Sequence, residues 1–96
     1  MLVVDIQYKK TMSEIEPFVE AHRDHLRKCY DAGMFVVSGR KPDGVGGFII
    51  ANLDEISMKK LILQDPFHIN DLAVFVIAEF KPTIWCEALN DMLGNP

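Results

Sequence analysis

Two histidines three positions apart, His22 and His25, lie in a segment whose apolar residues recur with helical period. Imidazole gains and loses a proton near neutral pH, so histidines are the first candidates for proton transfer. At about 100° per residue, His22 falls near the centre of the apolar stripe and His25 about 80° away, at its edge. An edge histidine can reach both a pocket and solvent, whereas a central one is more often packed against a backbone group. This favours His25 and leaves His22 as the alternative.

The second candidate is Asp65, which directly precedes Pro66. Proline restricts the preceding residue to extended conformations, so Asp65 is expected to end a helix as a turn former. That role does not require aspartate over asparagine or serine. A carboxylate bonded to one imidazole nitrogen would fix the tautomer and raise the basicity of the other nitrogen. We therefore expect Asp65 to face His25 as its orienting partner.

Metal and cofactor chemistry have little support in the sequence. His22 and His25 could belong to a zinc site, but no second cluster of ligands has suitable spacing. Cys29 and Cys86 lack C-x-x-C spacing and are expected to be reduced structural cysteines. The glycines of segment 44–47 are typical of a hairpin, and no helix follows them as in a phosphate-binding loop. We expect no metal and no cofactor.

Composition limits the remaining classes. The chain has 96 residues, 49% of them hydrophobic, and a net charge of −4, which predicts one globular domain over residues 1–96. Its acidity disfavours nucleic acid as a partner. The apolar runs are far shorter than the roughly 20 residues that span a bilayer, and the N-terminus lacks the basic flank of a signal peptide. These features predict a cytoplasmic protein without membrane association.

The apolar pattern predicts the order β-α-β-β-α-β. Strands are expected at 2–8, 34–39, 48–51 and 72–80, and helices from Ser13 or Pro17 to Gly33 and from about 54 to 64, followed by a tail at 83–96. Ser13 and Glu16 fit a capping box, and Asp54 or Ser57 could cap the second helix. This order is typical of an α+β, ferredoxin-like fold, a four-stranded antiparallel sheet with two helices on one face. Its uncovered sheet face predicts a homodimer or larger assembly.

Several segments together resemble the YCII-related family: 22–26 (HRDHL), 32–39 (AGMFVVSG), 46–50 (GGFII), 64–67 (QDPF) and 79–80 (EF). The resemblance covers nearly the whole chain and rests on the order and spacing of these pieces. It implies a dimeric α+β barrel with a histidine–aspartate pair in a pocket, to which His25 and Asp65 correspond. Ser38 and Gly39 match the end of a strand that borders this pocket.

Two positions depart from the family pattern. His22 stands where arginine is common, and Arg40 replaces a proline that usually follows the strand glycine. We expect His22, Ser38, Gly39 and Arg40 to contact the substrate. An arginine at the pocket edge can grip a carboxylate with two hydrogen bonds, which favours an anionic ligand; a solvated loop charge is the alternative.

The resemblance implies cofactor-independent lyase or isomerase chemistry on a small cyclic or acidic metabolite. His25 would exchange the proton, and Asp65 would orient it. Two alternatives stay open, because a fold does not determine a function. The domain could bind a small molecule or act in a stress response without catalysis, or it could be an accessory subunit that docks a partner through Trp85 and Leu89.

Overall fold

Four strands form one antiparallel sheet in the order β2-β3-β1-β4. The computed structural model describes residues 1–94. Its elements are β1 (Leu2–Tyr8), α1 (Met12–Ile15), a 3₁₀ turn (Glu16–Phe18), α2 (Val19–Asp31), β2 (Phe35–Arg40), β3 (Gly46–Ala51), α3 (Glu55–Leu63), α4 (Pro66–Ile69), β4 (Ala73–Glu79), a second 3₁₀ turn (Glu87–Leu89) and α5 (Asn90–Leu93). The predicted α+β fold and the β-α-β-β-α-β plan are confirmed.

The first helical region is broken by proline. Pro17 lies in the 3₁₀ turn between α1 and α2, because its ring nitrogen cannot donate to the preceding turn of an α-helix. The predicted capping box at Ser13 does not form, and Thr11 occupies the cap position instead. Gly33 ends the region with φ +75°, the left-handed conformation expected after a helix.

The connection after α3 contains a helix that the sequence pattern did not predict. Asp54 caps α3 by accepting the Ser57 amide N–H at 3.0 Å, as expected for one of the two candidates. At the other end, Asp65 follows α3 and caps the short helix α4. Pro66 occupies the first turn of α4, where its missing N–H costs nothing. Asp65 is therefore a helix N-cap as well as the residue that follows a helix end.

The core lies between the sheet and the helices. Along β1, Leu2, Val4 and Ile6 are almost fully buried while Gln7 is exposed, which is the alternation of a sheet covered on one face. The buried apolar side chains form one cluster: Leu2, Val4, Ile6, Ile15, Cys29, Phe35, Ile49, Ala51, Met58, Ile62, Phe67, Leu72 and Ala73. None of the helices within residues 1–94 is long and apolar enough to cross a membrane.

Candidate active site

A buried histidine–aspartate pair joins α2 to the start of α4. His22 Nδ1 lies 2.8 Å from Asp65 Oδ1 and 2.9 Å from Oδ2. Asp65 is 2% exposed and His22 9%. Burial of two polar groups is tolerated when they satisfy each other, because an unpaired one would lose its hydrogen bonds to water.

The surroundings of Asp65 fix the orientation of the imidazole. Its Oδ1 also accepts the Phe67 amide N–H at 2.9 Å, the capping bond of α4, so the carboxylate is held from two sides. An ionised carboxylate only accepts hydrogen bonds, and the bond to His22 therefore places the proton on Nδ1. Nε2 of the neutral ring is left as an acceptor, and no residue among 1–94 hydrogen-bonds it.

Phe67 holds two further rings in place. It stacks on the His22 ring with centroids 3.9 Å apart and planes 5° from parallel. Tyr8 meets the same phenyl ring edge-on, at 5.7 Å and 89°. Because Phe67 is 1% exposed, it cannot move without disturbing the core. The imidazole and the phenol are thus positioned by one buried side chain.

An open cavity of about 270 Å³ lies between α2, α4 and the sheet. Its walls are formed by Ile6, Tyr8, Val19, His22, Arg23, Leu26, Ser38, Gly39, Arg40, Gly46, Gly47, Phe48, Ile49 and Phe67. The four residues expected to contact substrate, His22, Ser38, Gly39 and Arg40, all border this cavity. Asp65 lies behind His22 and does not line it.

His25 is the residue whose predicted position needs correction. It is partly exposed, it does not line the cavity, and Asp65 pairs with His22 instead. The expectation that a central histidine packs against a backbone group was also wrong, because the central His22 bonds a carboxylate. The physical reason is that Val19, His22, Arg23 and Leu26 of α2 border the cavity, whereas His25 lies at the opposite edge of the stripe.

The sequence did not assign ten of the fourteen cavity residues to the site, and three of these ten, Tyr8, Arg23 and Phe67, matter for its chemistry. Tyr8 could have been found, since it continues the buried alternation of Leu2, Val4 and Ile6 along β1. Arg23 is a charged helix residue that the sequence did not connect with the pocket. No sequence signal distinguished Phe67 from an ordinary core aromatic.

The charges around the cavity act on Tyr8. Burial raises the pKa of the Tyr8 phenol, and the nearby positive charges of Arg40 and Arg23 oppose that rise. Both arginines border the cavity and bring positive charge to it, while the negative charge of Glu16 adds to the rise of the Tyr8 pKa.

The backbone of β3 closes the floor of the cavity. A Cβ on Gly46 would lie 2.2 Å from the Ile6 carbonyl oxygen, and one on Gly47 would lie 2.7 Å from that of Gly39. Side chains at these two positions would push the strands apart, so glycine is required there. Ser38 on the neighbouring strand accepts a hydrogen bond from the Tyr30 hydroxyl at 2.7 Å, which fixes its side chain.

No family model matches the chain, and no curated protein sequence does so. Among solved structures, the chain resembles the 5-chloro-2-hydroxyhydroquinone dehydrochlorinase of Burkholderia phenoliruptrix AC1100, in its complex with 2,5-dihydroxybenzoquinone. The TM-score is 0.70, and the match covers 84% of this chain and 94% of that chain at 17% identity. The two proteins share a fold. At this identity the likeness establishes the architecture, and the YCII-related resemblance stays a prediction.

Proposed function

We propose that this protein is a cofactor-independent acid–base enzyme of lyase or isomerase type, acting in the cytoplasm on a small cyclic, acidic metabolite. The observation that carries the proposal is the orientation of His22: Asp65 binds its Nδ1, and its unpaired Nε2 belongs to a ring that lines an open cavity. A base needs this arrangement to accept a proton from a bound molecule. His22 thus takes the role that the sequence suggested for His25.

The chemistry begins with proton removal from a carbon beside an electron-withdrawing group. The proton passes to Nε2 of His22, and the electron pair of the broken C–H bond becomes the C=C bond of an enolate. In an elimination the enolate then expels a leaving group with its electron pair, and in an isomerisation it regains a proton at another carbon. Asp65 stabilises the imidazolium, as the negative partner of a buried pair.

Charge and the structural neighbour favour the same substrate class. Arg40 and Arg23 border the cavity and would attract an anionic group. The neighbour of the same fold is named for a chlorinated hydroxyhydroquinone and holds a dihydroxybenzoquinone. An oxygen-rich ring of that size suits a cavity of about 270 Å³. The YCII-related resemblance is consistent with this class and remains part of the proposal.

Deuterium exchange tests the proposal directly. The protein is incubated in D₂O with a panel of cyclic diketones and hydroxyquinones, and loss of C–H signals is followed by NMR. We expect His22→Gln to slow exchange by about 100-fold or more, the usual contribution of a general base. His68→Gln, an exposed histidine outside the cavity, is the matched control.

Three results would contradict the proposal. Exchange that survives His22→Gln would exclude His22 as the base. A loss seen in His25→Gln alone would return the role to His25. Binding of panel compounds with no exchange above the uncatalysed rate would favour the non-catalytic binding module.

The second part of the proposal is a homodimer formed through the open sheet face. Apolar side chains on this face keep about half of their surface exposed: Val37 53%, Phe48 45%, Val74 43% and Val76 47%. The strand register places Phe48 and Val76 on either side of Asp5, so the apolar side chains of this face flank the ion pair of Asp5 with Lys41. Exposed apolar side chains gathered on one face and rimmed by charge are typical of an interface. Sedimentation over a concentration series tests it, and a monomer at all concentrations would contradict it.

A further inference from the structure

Two polar atoms of the cavity walls lack partners, and they are of opposite kind. Nε2 of His22 is an acceptor, and the hydroxyl of Tyr8 is a donor. Neither has a hydrogen-bond partner among residues 1–94, and neither is sealed away from solvent. A bound molecule that gives a proton to Nε2 of His22 and accepts a hydrogen bond from the Tyr8 hydroxyl would satisfy both atoms.

We propose that Tyr8 is a second catalytic residue, which donates a hydrogen bond to the substrate oxygen that becomes negative when His22 removes the proton. This inference rests on the proposed function and names its substrate class: a ring in which a carbonyl or enol oxygen is conjugated to the carbon that loses the proton. The C–H electron pair moves into the ring C=C bond, and the carbonyl π pair moves onto the oxygen that Tyr8 contacts.

Phe67 supports the pairing of these two groups. Its ring stacks on His22 and meets Tyr8 edge-on, so the acceptor and the donor are held by the same buried side chain. Catalysis by a donor and a base requires that both keep their positions before the substrate arrives, because reorganisation during the reaction would raise the barrier. Packing against Phe67 holds His22 and Tyr8 in position before the substrate binds.

The charges near Tyr8 suit a developing oxyanion. Burial raises the pKa of Tyr8, which keeps the phenol protonated and able to donate near neutral pH. Arg40 and Arg23 lie close enough to influence the phenol, and an oxygen bound to Tyr8 would feel the same positive charges. Tyr8 therefore supplies a directed hydrogen bond, and Arg40 and Arg23 supply positive charge near the oxyanion.

The test uses 2,5-dihydroxybenzoquinone as an acidic, coloured probe of binding, together with the deuterium-exchange panel. Tyr8→Phe removes only the hydroxyl, and Ser13→Ala, which removes an exposed hydroxyl outside the cavity, is the control. We expect Tyr8→Phe to weaken probe binding about 10-fold or more, the effect of one hydrogen bond to a charged oxygen, and to slow exchange. Ser13→Ala should bind the probe within about 2-fold of wild type.

The outcomes separate this inference from the proposed function. If Tyr8→Phe binds and exchanges like wild type while His22→Gln loses exchange, the role of Tyr8 is overturned and the proposed function stands. If His22→Gln keeps full exchange, the proposed function falls, and the catalytic role of Tyr8 falls with it. Absence of probe binding by the wild type would overturn the oxygen-rich substrate class and the role of Tyr8, whereas exchange of other panel compounds would still support His22 as a base.

Discussion

The two faces of the sheet are built from similar strands but serve different purposes. On the covered face, Leu2, Val4 and Ile6 are at most 3% exposed and pack beneath the helices. On the open face, Val74 and Val76 keep 43% and 47% of their surface exposed. Apolar content alone does not separate these faces, since both are rich in valine and isoleucine. Helix cover is what makes one face a core and leaves the other exposed.

The polar pairs on the two faces also differ in how deeply they are buried. His22 and Asp65 are buried at the cavity, where an unpaired group would be costly. Asp5 and Lys41 form an ion pair of 2.7 Å on the open face, and the Lys41 ammonium lies 5.0 Å from the Phe48 ring. The Asp5 and Lys41 side chains keep 31% and 20% of their surface exposed, so water competes for both ions and the pair contributes little to stability. The comparison predicts large effects of substitutions on the covered side and smaller ones on the open side.

The largest effect is expected for Phe67→Ala. The substitution leaves a hole in the core and removes the surface on which His22 and Tyr8 pack, so the free energy of unfolding should fall by about 3–5 kcal/mol. Urea denaturation measures it. Phe80→Ala, at a phenylalanine that is 47% exposed, is the control and should cost much less. Equal losses in the two variants would show that burial does not distinguish them.

Asp65→Asn should have the next largest effect. The amide oxygen can still cap α4, but it cannot satisfy the imidazole from both oxygens, so about 1–3 kcal/mol of stability should be lost. The ¹⁵N shifts of His22 should also lose the signature of a single Nδ1–H tautomer. Asp54→Asn, the same change at the exposed cap of α3, is the control and should leave those shifts unchanged. An unchanged tautomer in Asp65→Asn would show that Asp65 does not orient the ring.

Most of the fold could be predicted from the sequence because its signals are local. The alternation in β1 and the helical period before Gly33 specify the main elements, and the β-α-β-β-α-β order then leaves few topologies. The helix start was left open between Ser13 and Pro17, and the structure has a helix on each side of a 3₁₀ turn at Pro17; the short helix α4 was missed. Both depend on local backbone geometry around a proline, which a hydrophobic pattern does not encode.

The site could be predicted only in part. The resemblance selected the strand residues Ser38 and Gly39 and the aspartate, and the structure brings the strand residues to the cavity and Asp65 to its histidine. For the histidine it pointed to His25, whereas Asp65 pairs with His22. A helical wheel gives each residue an angle relative to the stripe, but it does not say where the space between helix and sheet remains unfilled. That depends on which side chains from other elements reach the same place.

On the open face, Val76→Lys should weaken self-association. A lysine among the exposed apolar side chains of this face would have to lose water on dimerisation, so the dissociation constant of the dimer should rise at least about 10-fold. Sedimentation measures this constant. Ile56→Lys is the matched control, because Ile56 is 70% exposed on α3, away from the sheet. Equal weakening by both variants, or by neither, would contradict an interface on the open face.

The smallest effect is expected for Asp5→Asn, and it should depend on pH. The Lys41 ammonium and the Gln7 amide lower the pKa of Asp5 below its unfolded value. The stabilisation is therefore present above the unfolded pKa, about pH 4, and is lost as pH falls through the lower folded pKa. The difference in unfolding free energy between wild type and Asp5→Asn, measured by denaturation, should favour the wild type at pH 7.

That difference should shrink below about pH 4, where Asp5 becomes protonated, and with added salt, because solvent reaches the partly exposed charges. Lys41→Met is the control background, in which Asp5→Asn should lose most of its effect if the ammonium is the main cause. A difference that survives in Lys41→Met would assign the stabilisation to Gln7 instead. A difference that grows at low pH would have the opposite sign and would contradict the lowered pKa of Asp5.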